Sequence, residues 1–302
     1  MNYTDPVIIY CAKGKEHIIM LIWSINSLKK FNYFKIEVIV SNLDEANFLK
    51  KYFPDIVCTV IDIDIKNYRM WAYRPFALQK YNIKNKCNIV ISDTDIIWKK
   101  DPRLIFKKFY NQPWVHKITS LDPGEFFDYK NYADVPKRRI GLRTMISYSE
   151  YVKINYYPNF HLNCGLFMLD DIIYHKVLHR WVDAIKITPP EKMIMTEALL
   201  SMVFAELKIS PISDEEDIKY HNLEHRKIKG EVVSYKFNRK KYNKITGYQV
   251  ATHFFGGLRK HIIKEVINLK LDDFNLYQQY KILIRKKKFY NLLGKIIKIF
   301  KN

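Results

Sequence analysis

The sequence has little of what builds small stapled folds: it holds four cysteines in 302 residues, Cys11, Cys58, Cys87 and Cys164. They form no CxxC pair and no other short spacing, which excludes a zinc ribbon or finger, and each sits in the apolar context typical of a buried free thiol. A reducing compartment is the expectation. The opening MNYTDPVIIYCAKGKEH lacks the basic start, long apolar run and small-residue cleavage site of a signal peptide. No stretch reaches about 18 consecutive uncharged apolar residues, so no membrane-spanning helix is expected. Internal repeats and low-complexity tracts are missing too. The single glycine of CAKGKEH near the first strand argues against the glycine-rich triphosphate loop of a nucleotidyltransferase. With no GxxxxGK[ST] anywhere, P-loop chemistry is unsupported.

What is present is apolar and basic. Nearly half of the residues, 48%, are apolar or aromatic, enough for one large α/β core. The formal charge of +20 points to an anionic partner, whether nucleic acid, anionic lipid or a phosphorylated substrate, although a Lys-rich and Asn-rich composition also follows from an A/T-rich genome. Residues 275–302 carry eight Lys or Arg and no acid. Within FYNLLGKIIKIF, one helical face collects Phe289, Leu292, Leu293, Ile296, Ile297 and Phe300, with Lys295, Lys298 and Lys301 off it. That pattern predicts a helix lying in the plane of a membrane surface, against the alternative of a terminal helix packed on the domain.

Along the first hundred residues, β-branched runs at 7–11, 36–40, 57–63 and 88–91 alternate with helical patterns at about 16–30, 44–52 and 73–81. This is the rhythm of βαβ units and a parallel sheet. Ligands of such sheets bind beyond the carboxyl ends of the strands. Residues 10–12 and those following Val40 and Ile91 should therefore share a crevice. Residues 122–160, polar and Tyr-rich with Arg138, Arg139 and Arg143, read as a turn-rich lid or acceptor loop. Helices are expected over about 172–187 and 192–207, on either side of Thr188-Pro189-Pro190.

Two DxD triplets occur, Asp62/Asp64 in VIDIDI and Asp93/Asp95 in NIVISDTDIIW. Only the second sits at a strand end between apolar runs. Two carboxylates held there repel one another unless a cation lies between them, and a divalent ion bound to a diphosphate is the natural solution. Mg²⁺ and Mn²⁺ both suit a site of few oxygen ligands, and one imidazole shifts the balance toward Mn²⁺. A capped turn would account for the same aspartates without a metal.

Four motifs in order then carry a resemblance: YRPFALQKY, ISDTDIIW, LNCGLFML and THFFGGLRK, the last read as His253-x-x-Gly256-x-x-Arg259. Together they resemble family 8 glycosyltransferases, the galactosyltransferase and glycogenin type, over roughly residues 8–260. The resemblance implies a GT-A fold: a single α/β domain, Rossmann-like, with a mixed and mostly parallel sheet, here over residues 1–270, followed by the basic amphipathic tail 271–302. It also implies retention of anomeric configuration and a UDP-sugar donor. By the same resemblance Asp93, Asp95 and His253 bind the metal, with Thr94 between the aspartates. Tyr10, Cys11 and Ala12 line the nucleotide pocket, Arg74 contacts the donor, and Asn163 reaches the donor sugar.

Independently of any family, Gly256 and Gly257 allow backbone amides close to phosphate, and Arg259 and Lys260 supply positive charge for a departing nucleoside diphosphate. The sequence departs from the family where an Asp-Gln pair is usual, offering Thr196 and Glu197 instead. Glu197 is the candidate to face the anomeric carbon, as nucleophile or as shield of positive charge. A glutamate favoured by the helix dipole alone would look the same.

The expectation is thus a metal-dependent transferase of a hexose to a glycan or lipid-linked acceptor, at the cytoplasmic face of the inner membrane, in lipopolysaccharide, lipooligosaccharide or capsule synthesis. An inverting GT-A enzyme is the nearest alternative, with Asp122, Glu125 or Asp128 as base. A basic nucleic-acid-binding protein is the alternative of another class, although no nucleic-acid module is recognisable and nucleic acid is not the expected partner.

Overall fold

The computed structural model describes residues 3–31, 34–65, 72–81, 83, 87–121, 133, 135, 140–153, 158–192, 195–213, 215–217, 232–234, 250–253, 262–270 and 274–300. In chain order they form β1 (Val7–Ala12), α1 (Lys15–Lys29), β2 (Lys35–Val40), α2 (Leu43–Lys50), β3 (Val57–Val60), α3 (Tyr73–Tyr81), β4 (Ile89–Ser92), β5 (Ile96–Trp98), α4 (Arg103–Lys108) and β6 (Trp114–Ser120). Then come α5 (Ile140–Val152), β7 (Phe160–Leu169), α6 (Asp171–Ile187), α7 (Thr196–Glu206), β8 (Glu215–Asp217), β9 (Val232–Ser234), β10 (Ala251–His253), α8 (Ile262–Asn268) and α9 (Phe274–Phe300).

The main sheet runs β3-β2-β1-β4-β7-β6-β8, and a small second sheet runs β5-β10-β9. In the main sheet β7 alone opposes its neighbours, pairing antiparallel with both β4 and β6, while the β1–β2, β1–β4, β2–β3 and β6–β8 pairs are parallel. The mixed, mostly parallel α/β sheet implied by the GT-A resemblance is present. Alternation along β1 explains its double burial. Ile8, Tyr10 and Ala12 join one core with α1, α2, α4, α8 and α9. Val7 and Ile9 join the opposite core with α3, α5, α6 and α7. Strands buried on both faces are near-continuously apolar, as β1 and β4 are. The order reverses between β1 and β4, and the crevice beyond their carboxyl ends is where such folds receive ligands.

Two expectations need correction. Residues 122–160 are not a single turn-rich insertion. Residues 140–152 form α5, which packs on α6 and α7 and buries Leu142, Met145, Ile146 and Tyr148 in the core they share, and Arg143 lies on this helix and not in a turn. Composition suggested a loop because Ser, Thr, Arg and Tyr fill much of this helix, yet its apolar residues recur at helical spacing. The strand expected over 57–63 ends at Val60, so that Asp62 and Asp64 are exposed beyond an edge strand. Arg138 and Arg139, like Asp122, Glu125 and Asp128, lie outside the described residues.

The terminal helix is docked by its first half. Leu276 and Tyr280 are fully buried, Tyr280 meets Trp23 of α1 edge to face at 5.0 Å, and Lys287 pairs with Glu16 at 3.0 Å. Phe289, two residues beyond Lys287, is 60% exposed.

Candidate metal and donor site

Strand β4 is apolar and wholly buried between β1 and β7, and its ladder continues one residue further through Asp93 N–H donating to the Gly165 carbonyl at 2.6 Å. The chain then turns through Thr94 and Asp95 into β5. That strand is clamped on α1, because Trp98 N–H donates to Ser27 Oγ at 2.9 Å and Trp98 Nε1–H to Tyr10 Oη at 3.2 Å. Strand β10 pairs antiparallel with β5, setting His253 opposite Ile96, the residue after Asp95. Register alone therefore delivers the imidazole to the aspartates from far along the chain. His253 Nε2 lies 3.3 Å from Asp95 Oδ1 and 3.5 Å from Asp93 Oδ2. Asp95 and His253 are buried, and the Asp93 side chain is 31% exposed, so the cluster opens toward solvent on the Asp93 side.

One ligand atom from each of Asp93, Asp95 and His253 falls within 4.8 Å of the others, and among the described residues no other group of three His, Cys, Asp or Glu meets that condition. The donor set fits a hard divalent cation with one nitrogen ligand. So does the backbone behind it. A Cβ placed on Gly165 would lie 2.2 Å from His253 Cε1, so the ring occupies space that only glycine leaves open at this strand position. Without a cation, the two carboxylates draw on the imidazole instead: burial works against its charge, but the adjacent carboxylates of Asp93 and Asp95 raise its pKa to about 9.

Strand β7 is irregular here. Its pairing with β6 shifts between Val115 and Lys117, which face Phe167 and Asn163. Cys164 and Phe167 then fall in one core while Leu166 and Met168 fall in the other. Such a bulge re-aims side chains at the rim of a site. Cys164 turns toward Arg74 of α3, whose guanidinium donates to Cys164 Sγ and to Asp93 Oδ1 and stacks over Trp181 at 5.8 Å. Burial opposes the charge of Arg74, but Cys164 and Asp93 hold it firmly protonated. Asp93 thus divides its oxygens, one toward Arg74 and the other toward His253.

Glu197 opens α7 and belongs to the same electrostatic cluster. Burial first, then Asp93, raise its pKa to about 7, while Arg74, His253 and a hydrogen bond with Cys164 pull it down. Asn163 Oδ1 accepts from Gly165 N–H at 2.9 Å, which orients its amide on the bulge. Thr94 is buried with its hydroxyl 3.2 Å from His17 Nδ1. The residues expected to line a nucleotide pocket are placed unevenly. Cys11 is close enough to Arg74 and Asp93 to feel both charges, its thiol pushed up to about 12 chiefly by burial. The Tyr10 side chain is fully buried in the core behind the sheet, its hydroxyl engaged by Ser24 and Trp98, so any contact it makes with a ligand is through backbone. Ala12 is buried at the strand end. Gly256, Gly257, Arg259 and Lys260 lie outside the described residues.

Residue types alone did not single out His116, whose ring meets His253 edge on at 5.2 Å, nor Gly165 as the seat of the imidazole. A glycine inside an apolar strand pattern was the available signal for the second. For the first there was none.

No family model matches the chain, and no curated protein matches it in sequence. Solved structures do match in shape. The galactosyltransferase LgtC, in complex with donor and acceptor sugar analogues, is 10% identical with a TM-score of 0.46, covering 83% of this chain and 87% of that one. Mouse xyloside xylosyltransferase 1 is 12% identical with a TM-score of 0.42, covering 84% and 98%. The glycosyltransferase GlyE of Streptococcus pneumoniae TIGR4 is 11% identical with a TM-score of 0.49, covering 94% and 64%. All three are glycosyltransferases, but likenesses this loose decide nothing about chemistry. That question rests on the cluster at the end of β4.

Proposed function

We propose that this chain is a metal-dependent glycosyltransferase of the GT-A type, which moves a hexose from a UDP-sugar to a glycan or lipid-linked acceptor with retention. The observation that carries the reading is the convergence of Asp93, Asp95 and His253 on one point beyond the central strand β4. A Mn²⁺ or Mg²⁺ ion held there would stabilise the negative charge of the departing diphosphate.

The chain's own groups complete the site. Arg74 fixes the Asp93 carboxylate and adds positive charge beside it. With its oxygen committed to Gly165, Asn163 presents Nδ2–H to a sugar oxygen. Glu197, within electrostatic reach of Asp93 and Arg74, is assigned the face of the anomeric carbon, as nucleophile or as shield of developing positive charge. Backbone at Tyr10 to Ala12, with the segment of Gly256, Arg259 and Lys260, is assigned to the nucleotide and its phosphates.

We assign residues 1–270 to the transferase domain and 271–302 to a tail that holds it on an anionic membrane surface. No described helix is long and apolar enough to cross a membrane. A peripheral enzyme at the cytoplasmic face, acting on a lipopolysaccharide, lipooligosaccharide or capsule precursor, suits the acid-free tail.

The test is Mn²⁺-dependent hydrolysis across a panel of nucleotide sugars by wild type and Asp95→Asn. Release of a nucleoside diphosphate from one donor, lost in the variant, is the expected result. Absence of release and of donor binding by calorimetry for every donor would sink the reading.

A further inference from the structure

His116 sits in β6 with no solvent exposure, beside the bulge that shapes β7. Its Nδ1 is 3.2 Å from the Leu166 carbonyl and its Nε2 is 3.4 Å from His253 Nδ1. A carbonyl only accepts, so Nδ1 of His116 carries the proton of that bond. In the neutral ring the other nitrogen is then a lone pair that can only accept. His253 must meet it with Nδ1–H, which leaves Nε2 of His253 as the nitrogen turned to the two aspartates. The order of donors is set from a backbone carbonyl outward, through two buried rings.

We propose that His116 is a positioning residue that fixes the orientation of His253 and keeps a proton on its Nδ1, so that Nε2 is the nitrogen that offers its lone pair to a cation held with Asp93 and Asp95. The inference rests on the proposed metal role of His253. A ligating histidine is usually steered by a carboxylate, carbonyl or water on its other nitrogen, and loss of such a partner typically costs 10–100-fold in metal affinity. Here a second imidazole takes that place. It is buried where a carboxylate would add a third negative charge near Asp93 and Asp95, and an imidazole brings no negative charge.

The test is Mn²⁺ affinity of the donor-free protein, read from the loss of the EPR signal of aqueous Mn²⁺, for wild type, His116→Leu and His116→Gln, with thermal melts alongside. Both substitutions lose the bond to Leu166, but Gln can place an acceptor oxygen near the former Nε2 and Leu cannot. The expected result is a loss of about 10–100-fold for Leu with substantial recovery for Gln. Equal weakening of both variants would reduce His116 to packing and overturn the proposal. Unchanged affinity for Leu would also overturn it, leaving the metal site standing. Absence of Mn²⁺ binding by wild type would remove the metal reading and this proposal with it. Should His116→Leu fail to fold, nitrogen NMR of ¹⁵N-histidine-labelled wild type with Mg²⁺ reads the tautomers directly. His116 protonated at Nδ1 only supports the relay, and His116 protonated at Nε2 overturns it.

Discussion

Gly165 shows how a residue with no side chain can decide a site. Its missing Cβ is the space that His253 fills, and its carbonyl receives the Asp93 amide, so one residue sets the distance between β4, β7 and β10. Gly165→Ala should displace the imidazole. The expected outcome is at least a tenfold loss of Mn²⁺ affinity with a destabilisation of about 1–3 kcal/mol from overpacking. Calorimetric titration and urea melts check the two parts, and unchanged affinity would show that the ring can move aside. His161, on the same strand, makes a prediction about acid. Burial lowers its pKa from 6.5 to about 4, so the folded chain holds it neutral while the unfolded chain protonates it. The stability this contributes is complete above pH 6.5 and is lost as pH falls toward 4, on the order of 3 kcal/mol. Urea melts at pH 7.5 and 4.5 should show His161→Gln losing less stability than wild type, and equal losses would contradict the assignment.

At the scale of elements, the aspartates are held by how β5 is anchored and not by their own turn alone. Ser27 of α1 and Tyr10 of β1 both hydrogen-bond Trp98, tying the strand after Asp95 to the first βα unit. Tyr10→Phe removes the buried acceptor of Trp98 Nε1–H and should cost about 1–3 kcal/mol. It should leave the KM for the donor near its wild-type value, because the hydroxyl points away from the crevice. A large rise in KM with unchanged stability would instead place Tyr10 in the pocket. The elements most legible in the sequence were these early ones. The runs at 7–11, 36–40 and 73–81 reappear as β1, β2 and α3 within a residue or so, because their periodicity and their burial agree. Helix α5 was hidden because much of its sequence is polar and only tertiary packing selects its apolar stripe. The three-residue β5, β9 and β10 are too short to carry any period at all.

For the whole molecule, the basic tail and the crevice beyond β4 belong to one chain but answer to different forces. Leu276 and Tyr280 seat the start of α9 in the core beside α1, whereas Phe289 is exposed after the Arg285 to Lys288 cluster. Removing residues 288–302 should leave the melting temperature and the hydrolysis of a nucleotide sugar nearly unchanged while abolishing salt-sensitive binding to phosphatidylglycerol vesicles. Removing residues 271–302 also deletes the Tyr280–Trp23 contact and should destabilise the domain by roughly 3–5 kcal/mol, the usual cost of losing a large buried aromatic. Vesicle binding that survives the shorter truncation would place the membrane surface elsewhere.

From the sequence alone came the α/β class, the strand-end position of Asp93 and Asp95, and the candidacy of His253 and Arg74, since each follows from local patterning or from a motif. Only the tertiary structure could place Tyr10 behind the sheet and set His116 against His253. Those relations join residues remote in the chain through strand register and a bulge in β7, and register is decided by packing across the whole sheet.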